Sequence, residues 1–198
     1  ISSAIILCKL IYNEDIRKLG SKNPGANNVQ RIFGIRAGIT VFLFDFFKGW
    51  AAVKLIGFSE IPAGSELYSQ IQILLALCAF IGHVFPIFFE FKGGKGVAVL
   101  AGAMYALHPL AALSSIAVFV LILLITRYTS LSVLITAISY PLFMNLLFGK
   151  VLDEDMTTTV RIFSVLVAIL LPMTHLSNIG RLLRGKEEKF RIKSKHSQ

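Results

Sequence analysis

Long apolar runs, separated by short basic connectors rich in glycine and asparagine, leave this chain few places to fold other than a lipid bilayer. The runs occupy residues 37–58, 71–91, 109–125, 131–149 and 160–176, with a shorter, small-residue-rich run at 97–107 and an apolar start at 1–11. A spanning helix needs about 20 predominantly apolar residues, with roughly 17–25 as the working range. Lipid offers no hydrogen bonds to exposed backbone groups, so runs of this length are read as helices. Pro86, Pro141 and Pro172 fit that reading where neighbours satisfy the freed carbonyls. An apolar share of 55% and a mean hydropathy of +0.72 exceed what a soluble domain of this size carries.

The expected fold is an all-α integral membrane protein with seven transmembrane helices and short interfacial helices and loops on one face. Residues 1–11 are too short to span and do not begin with Met, so the first helix is expected to be truncated at its N-terminus. No signal-peptide n-region precedes it. Neither a repeat nor a low-complexity linker divides residues 1–198, which read as a single polytopic domain. Cys8 and Cys78 sit in apolar stretches without ligand spacing and are expected to be buried free thiols.

Charge then sets the orientation. Sixteen of the twenty Lys and Arg residues fall on one side: those from Lys9 to Arg36, then Lys92, Lys95 and Arg127, then those from Arg181 to Lys195. Lys150 and Arg161 fall on the other side with Glu60, Glu66, Asp153, Glu154 and Asp155, while Lys48 and Lys54 stay within the second helix. The positive-inside bias makes the rich side cytoplasmic, with the N-terminus outside and the C-terminus inside. A net charge of +9 placed around apolar runs points to membrane lipids rather than nucleic acid as partner.

Three polar motifs share that cytoplasmic side. In the first connector, Gly20 to Arg31, Pro24 and Gly25 suit a type II turn, and Asn27 or Asn28 could cap a short helix whose free N–H groups face an anion. A solvated turn is the alternative; Arg31, whose fork matches phosphate oxygens in pairs, favours the anion. In the second, Lys92, Gly93, Gly94, Lys95 and Gly96 precede the short helix, so that successive N–H groups and ammonium charges could converge on one phosphate. The spacing is not that of a nucleoside-triphosphate loop. His83 just before it reads as an ordinary polar residue near a helix end. In the third, His175, Asn178 and Arg181 recur at i, i+3 steps and share one face of a continuing helix, near Glu187, with Arg127 available from another connector. Asp45 and Lys48, three apart, read as a mutually neutralising structural pair.

Taken in order, GSKNPGANNVQR, FDFFKG, GHVFPIFFEFKGGKGVAV, RYTSL and HLSNIGRLLRGKE resemble the bacterial acyl-phosphate:glycerol-3-phosphate acyltransferase (PlsY) family across nearly the whole chain. The resemblance implies a multi-pass inner-membrane enzyme with a cytoplasmic active site. It would move a fatty acyl group from acyl phosphate to the 1-hydroxyl of sn-glycerol 3-phosphate, giving lysophosphatidic acid and phosphate, the first acylation step of phospholipid synthesis. It implies no cofactor and no metal. Its partners are the two small-molecule substrates and membrane lipids, with an acyl-phosphate-producing enzyme as a candidate. On this chain it makes His175, Asn178, Ser21 and Arg31 catalytic, and Asn23, Gly25, Asn28, Gly93, Gly94, Lys95 and Gly96 substrate-binding. Lys92, Arg127 and Arg181 join the latter as cations for two phosphates, and Asp45, Lys48 and Glu187 give structural support. Asn27 stands where the family usually has Thr. No His in the chain is followed by Asp after four residues, the mark of another glycerolipid acyltransferase class. The competing function is a membrane transporter or binding protein for phosphorylated solutes.

Overall fold

The computed structural model describes residues 1–152 and 156–190, and these are helical with short connectors and contain no strand. Asp153, Glu154, Asp155, Arg191, Lys193 and Lys195, used above for orientation, lie outside the described residues. The helices are α1 (Ser3–Tyr12), α2 (Ala26–Phe33), α3 (Ile35–Lys54), α4 (Glu66–Val84), α5 (Val97–Leu107), α6 (Pro109–Thr126), α7 (Thr129–Leu142), α8 (Thr158–Thr174) and α9 (Leu176–Leu183). Glu66–Phe89, Pro109–Thr126 and Thr129–Val151 are each long and apolar enough to cross a bilayer. The α8 and α9 pair, bent by 66°, makes a fourth such segment if taken as one. α3 is long enough at 20 residues but carries Arg36, Asp45, Lys48 and Lys54, while α1 and α5 are apolar and short.

One apolar core runs through α3 to α8, with Phe80, Leu100, Tyr140, Met144 and Phe163 among its buried members. A smaller cluster joins α1, α2 and α3 through Ile5, Ile16, Val29 and Val41. Large side chains such as Phe44, Leu74, Leu124 and Ile169 point outward, the inverse of a water-soluble surface and the expected state of a lipid-facing one. Cys8 is buried as expected, but Cys78 is exposed on α4.

The tightest helix crossing is α3 on α5, and it depends on having no side chain at two points. A Cβ at Gly49 would collide with the Val99 carbonyl, and one at Gly102 with the Phe46 carbonyl and, at 2.9 Å, the Trp50 nitrogen. Apolar side chains gain nothing by leaving lipid, so such backbone approach is a main source of cohesion between membrane helices.

Breaks in the helices follow from proline and its neighbours. Pro109 occupies the first turn of α6, where its missing N–H costs nothing, and His108 Nδ1 accepts from the Ala111 N–H at 3.1 Å as the cap. After Pro141 the run predicted as one helix over 131–149 opens into a wider π-helical segment, Phe143–Val151, and Asn145 Nδ2 donates to the Pro141 carbonyl at 2.8 Å. Pro172 precedes the bend at His175, so that residue is the corner between α8 and α9 rather than part of a continuing helix. Gly102→Val should lower the thermal unfolding midpoint in detergent, with a loss of about 1–3 kcal/mol expected of overpacking, whereas Gly57→Ala, with nothing near its Cβ position, should not.

Candidate active site

The first motif is built around Asn28. Gly20 and Lys22 take left-handed backbone at φ 54° and 60°, and Lys22 N–H closes a turn on the Leu19 carbonyl. Asn28, buried in α2, accepts from the Ser21 N–H at 3.0 Å and donates to the Leu19 carbonyl at 3.0 Å. This corrects two expectations. The left-handed residues of the loop are Gly20 and Lys22 and not Gly25, which is extended at φ −141° and precedes α2 without a side-chain cap. Asn28 holds the loop rather than capping the helix, and its amide is occupied. Asn27 reaches across to Thr129 Oγ1 at 3.0 Å.

The second motif is a strap laid on the end of α4. Gly93 N–H donates to the Val84 carbonyl at 3.1 Å and Gly94 N–H to the His83 carbonyl at 3.2 Å, so neither is available to an anion. These glycines are required by proximity: a Cβ at Gly93 would collide with the His83 carbonyl, and one at Gly94 with His83 Nε2. Gly96 is left-handed at φ 76° and opens α5, whose first N–H groups an α-helix leaves without internal partners. Lys95 is the charge the strap delivers. Its carbonyl accepts from Thr174 Oγ1 at 3.0 Å and its ammonium donates to Asn178 Oδ1.

The third motif is organised by Glu187. Asn178 Nδ2 and Arg181 Nε each donate to its carboxylate at 2.6 Å, and Ser130 Oγ at 2.7 Å. Burial pushes this carboxyl up, but the three hydrogen bonds and the Arg181 charge outweigh it and leave it below the usual range. Lys95 is pushed down to about 8, first by burial and then by the Arg181 guanidinium, with Glu187 partly opposing. His175 is 4% exposed, and its Nδ1 lies 2.8 Å from the Leu171 carbonyl, which can only accept. Nδ1 therefore carries the proton and Nε2 is the free lone pair.

All three motifs meet at one cavity of about 900 Å³. Of the residues picked from sequence, Ser21, Asn23, Gly25, Asn28, Arg31, Asp45, Lys92, Gly93, Lys95, Gly96, His175, Asn178, Arg181 and Glu187 line it. Gly94 and Lys48 stand behind the wall, and Arg127 is at the left-handed end of α6, where its carbonyl accepts from Phe190 N–H at 2.6 Å. Lys92 pairs with Glu90 at 3.0 Å, both well exposed, and marks the mouth. Sequence reasoning did not assign Arg17, Ser130, Lys186, Glu188 or His83, which also line the wall. Ser130 was within reach, since it belongs to the RYTSL connector. Glu188 pairs with Arg31. Seven Lys and Arg side chains face three carboxylates around the polar part. Ile35, Ile39 and Phe42 of α3, Phe119 and Leu123 of α6 and Val133 of α7 line an apolar wing that opens from it.

The model of the family described as glycerol-3-phosphate acyltransferase matches residues 1–185. The chain belongs to that family. A glycerol-3-phosphate acyltransferase of Shewanella loihica is 42% identical over 98% of this chain and 89% of its own, and one of Paraburkholderia phymatum is 37% identical with the same coverage. Among solved structures, the integral membrane glycerol 3-phosphate acyltransferase PlsY in its glycerol 3-phosphate form superposes with a TM-score of 0.83 at 34% identity, covering 96% of this chain and 89% of that one. Its lysophosphatidic acid form gives 0.81 at 33% with the same coverage. Membership makes this an integral membrane protein of the acyltransferase family.

A lysine held near pH 8 sets a testable limit on anion binding. Affinity for inorganic phosphate, followed by calorimetry in detergent, should fall about tenfold per pH unit as pH rises beyond about 8 and Lys95 loses its proton. Lys95→Arg should remove that loss, because a guanidinium stays charged there.

Proposed function

We propose that this chain transfers a fatty acyl group from acyl phosphate to the 1-hydroxyl of sn-glycerol 3-phosphate, releasing phosphate and lysophosphatidic acid. The observation that carries the reading is the single cavity in which a cationic floor opens directly into an apolar wing. One acyl chain and two phosphate groups are the cargo such a space suits. The family membership and the two PlsY forms, with glycerol 3-phosphate and with lysophosphatidic acid, support acceptor and product.

The chemistry follows from the donor, a mixed anhydride with phosphate as leaving group. The glycerol hydroxyl oxygen attacks the acyl carbonyl carbon, the carbon–oxygen bond to phosphate breaks, and the hydroxyl proton passes to His175 Nε2 and on to the departing phosphate. No acyl-enzyme is required. Arg31 at the end of α2 and Lys95 with Arg181 across the cavity hold the two phosphates against their mutual repulsion, and positioning with charge stabilisation supplies most of the rate. Asn178 orients Lys95, Glu187 fixes Asn178 and Arg181, and Ser21 offers a hydroxyl at the rim. The strap glycines and Asn28 serve by shaping the floor.

The proposal includes the setting. Residues 1–198 form one polytopic domain of the bacterial inner membrane with seven crossings, counting the charged α3 and the short α1 and α5, an external N-terminus and an internal C-terminus. Clustering of the basic connectors at the site end supports the cytoplasmic assignment, while the far end of the bundle is tied by Glu66 to the Thr159 N–H at 3.0 Å. An acyl phosphate is reactive toward water, so an enzyme that makes it must supply this one at the membrane.

Purified protein should form lysophosphatidic acid from labelled glycerol 3-phosphate with acyl phosphate and without added metal, and not with acyl-CoA. Product from acyl-CoA alone would overturn the donor assignment, and solute uptake into vesicles with no acylated product would replace the enzyme by a transporter. His175→Ala should lower kcat by about 10²–10⁴ with little change in KM, the usual scale for a lost general base. Lys95→Ala should chiefly raise the KM for glycerol 3-phosphate, so steady-state kinetics on the two variants separates base from binding group.

A further inference from the structure

Behind the strap, a buried polar cluster joins three helices. Lys48 Nζ of α3 lies 2.5 Å from Asp45 Oδ1, 3.0 Å from the Ile1 carbonyl and 2.7 Å from Nδ1 of His83 in the last turn of α4. Ser3 Oγ of α1 donates to the same Asp45 oxygen at 2.5 Å. An ammonium has three N–H donors and no acceptor, so these three neighbours use all of them. His83 Nδ1 must then be a lone pair, and the proton of the neutral ring sits on Nε2. Asp45 and Lys48 neutralise each other without help from His83. What Lys48 adds is a fixed imidazole tautomer.

The ring of His83 belongs to the cavity wall, with its Nε2 edge beside Gly94 of the strap. His83 is 3% exposed, lines the cavity wall and has no hydrogen bond at Nε2 among the described residues. Gly94 packs against this edge; a Cβ there would collide with Nε2 and stand 3.0 Å from Cε1. The missing side chain lets the strap lie directly against the Nε2 edge, one residue before Lys95.

We propose that His83 is a further binding residue for glycerol phosphate, donating its Nε2–H to a phosphoryl oxygen held by Lys95, with Lys48 and Asp45 setting the tautomer. The proposal rests on the substrate reading given above. It gives the cavity two imidazoles of opposite polarity. His175, whose Nδ1–H is spent on the Leu171 carbonyl, presents a lone pair that takes a proton; His83, whose Nδ1 is spent on Lys48, presents a hydrogen and keeps it.

Kinetics on His83→Phe, which fills the site without a donor, and His83→Gln, which keeps an amide N–H, tests this. Loss of a hydrogen bond to a charged group should raise the KM for glycerol 3-phosphate about 10- to 100-fold in His83→Phe, with kcat and the KM for acyl phosphate much less changed. His83→Gln should recover a substantial part. Nitrogen-15 NMR of the histidine-labelled wild type should show the His83 proton on Nε2, a readout that holds even if a variant fails to fold. Equal KM for wild type and His83→Phe overturns the proposal. So does an effect confined to acyl phosphate, equal defects in both variants, or a proton on Nδ1. A wild type that makes no product from glycerol 3-phosphate overturns instead the substrate reading, before any variant is made.

Discussion

Glu187 is the counter-charge on which the site depends. Doubly charged phosphates call for several cations in one place, and cations crowded at the edge of an apolar bundle repel each other in a medium that screens poorly. The carboxylate answers this by accepting from Asn178, Arg181 and Ser130 at once, and through Asn178 it fixes the ammonium of Lys95. Those partners come from α7, α9 and the strap before α5, so a single acidic side chain ties together elements far apart in sequence. A second carboxylate, Glu188, lies against Arg31 at the rim and is well exposed. The one is fixed by several hydrogen bonds, and the other is held at a place where a phosphate could take over its partner.

The same economy governs the backbone. Glycines in the strap give up their N–H groups to the end of α4 and in return bring the chain within contact of His83 and of the Pro24 carbonyl, 3.0 Å from the position a Gly94 Cβ would take. Glycines in α3 and α5 serve the same purpose between helices. In the strap, Lys95 is placed by neighbours that have no side chain; between α3 and α5 the same absence sets the distance between two helices.

Much of this was legible in the sequence. The apolar runs gave the helices, and the basic connectors converge on one cavity as their charge suggested. Charged residues such as Arg31, Lys95 and Arg181 announce their place at the cavity, because few other positions suit them beside an apolar run. Gly93, Gly94 and Asn28 were harder, since glycine serves anion cradles and close packing equally, and an amide serves ligands and loops equally; only the hydrogen-bond partners decide. Helix breaks were hidden for a related reason. Pro141 and Pro172 are tolerated within the pattern of apolar residues, so the wide turn after one and the corner after the other left the hydropathy unchanged. Arg127 illustrates the converse, a cation in a suitable connector whose left-handed backbone at φ 60° serves the end of α6, away from the cavity.

The 66° corner at His175 makes the length of α8 a gauge. Each residue of an α-helix turns its successor by about 100° and advances it by about 1.5 Å. Inserting or deleting one residue upstream of Pro172 would therefore swing the imidazole to another compass point and redirect α9 with it, even with every side chain retained. Natural variation in this helix should consequently accept many exchanges of one apolar residue for another and almost no change in their number.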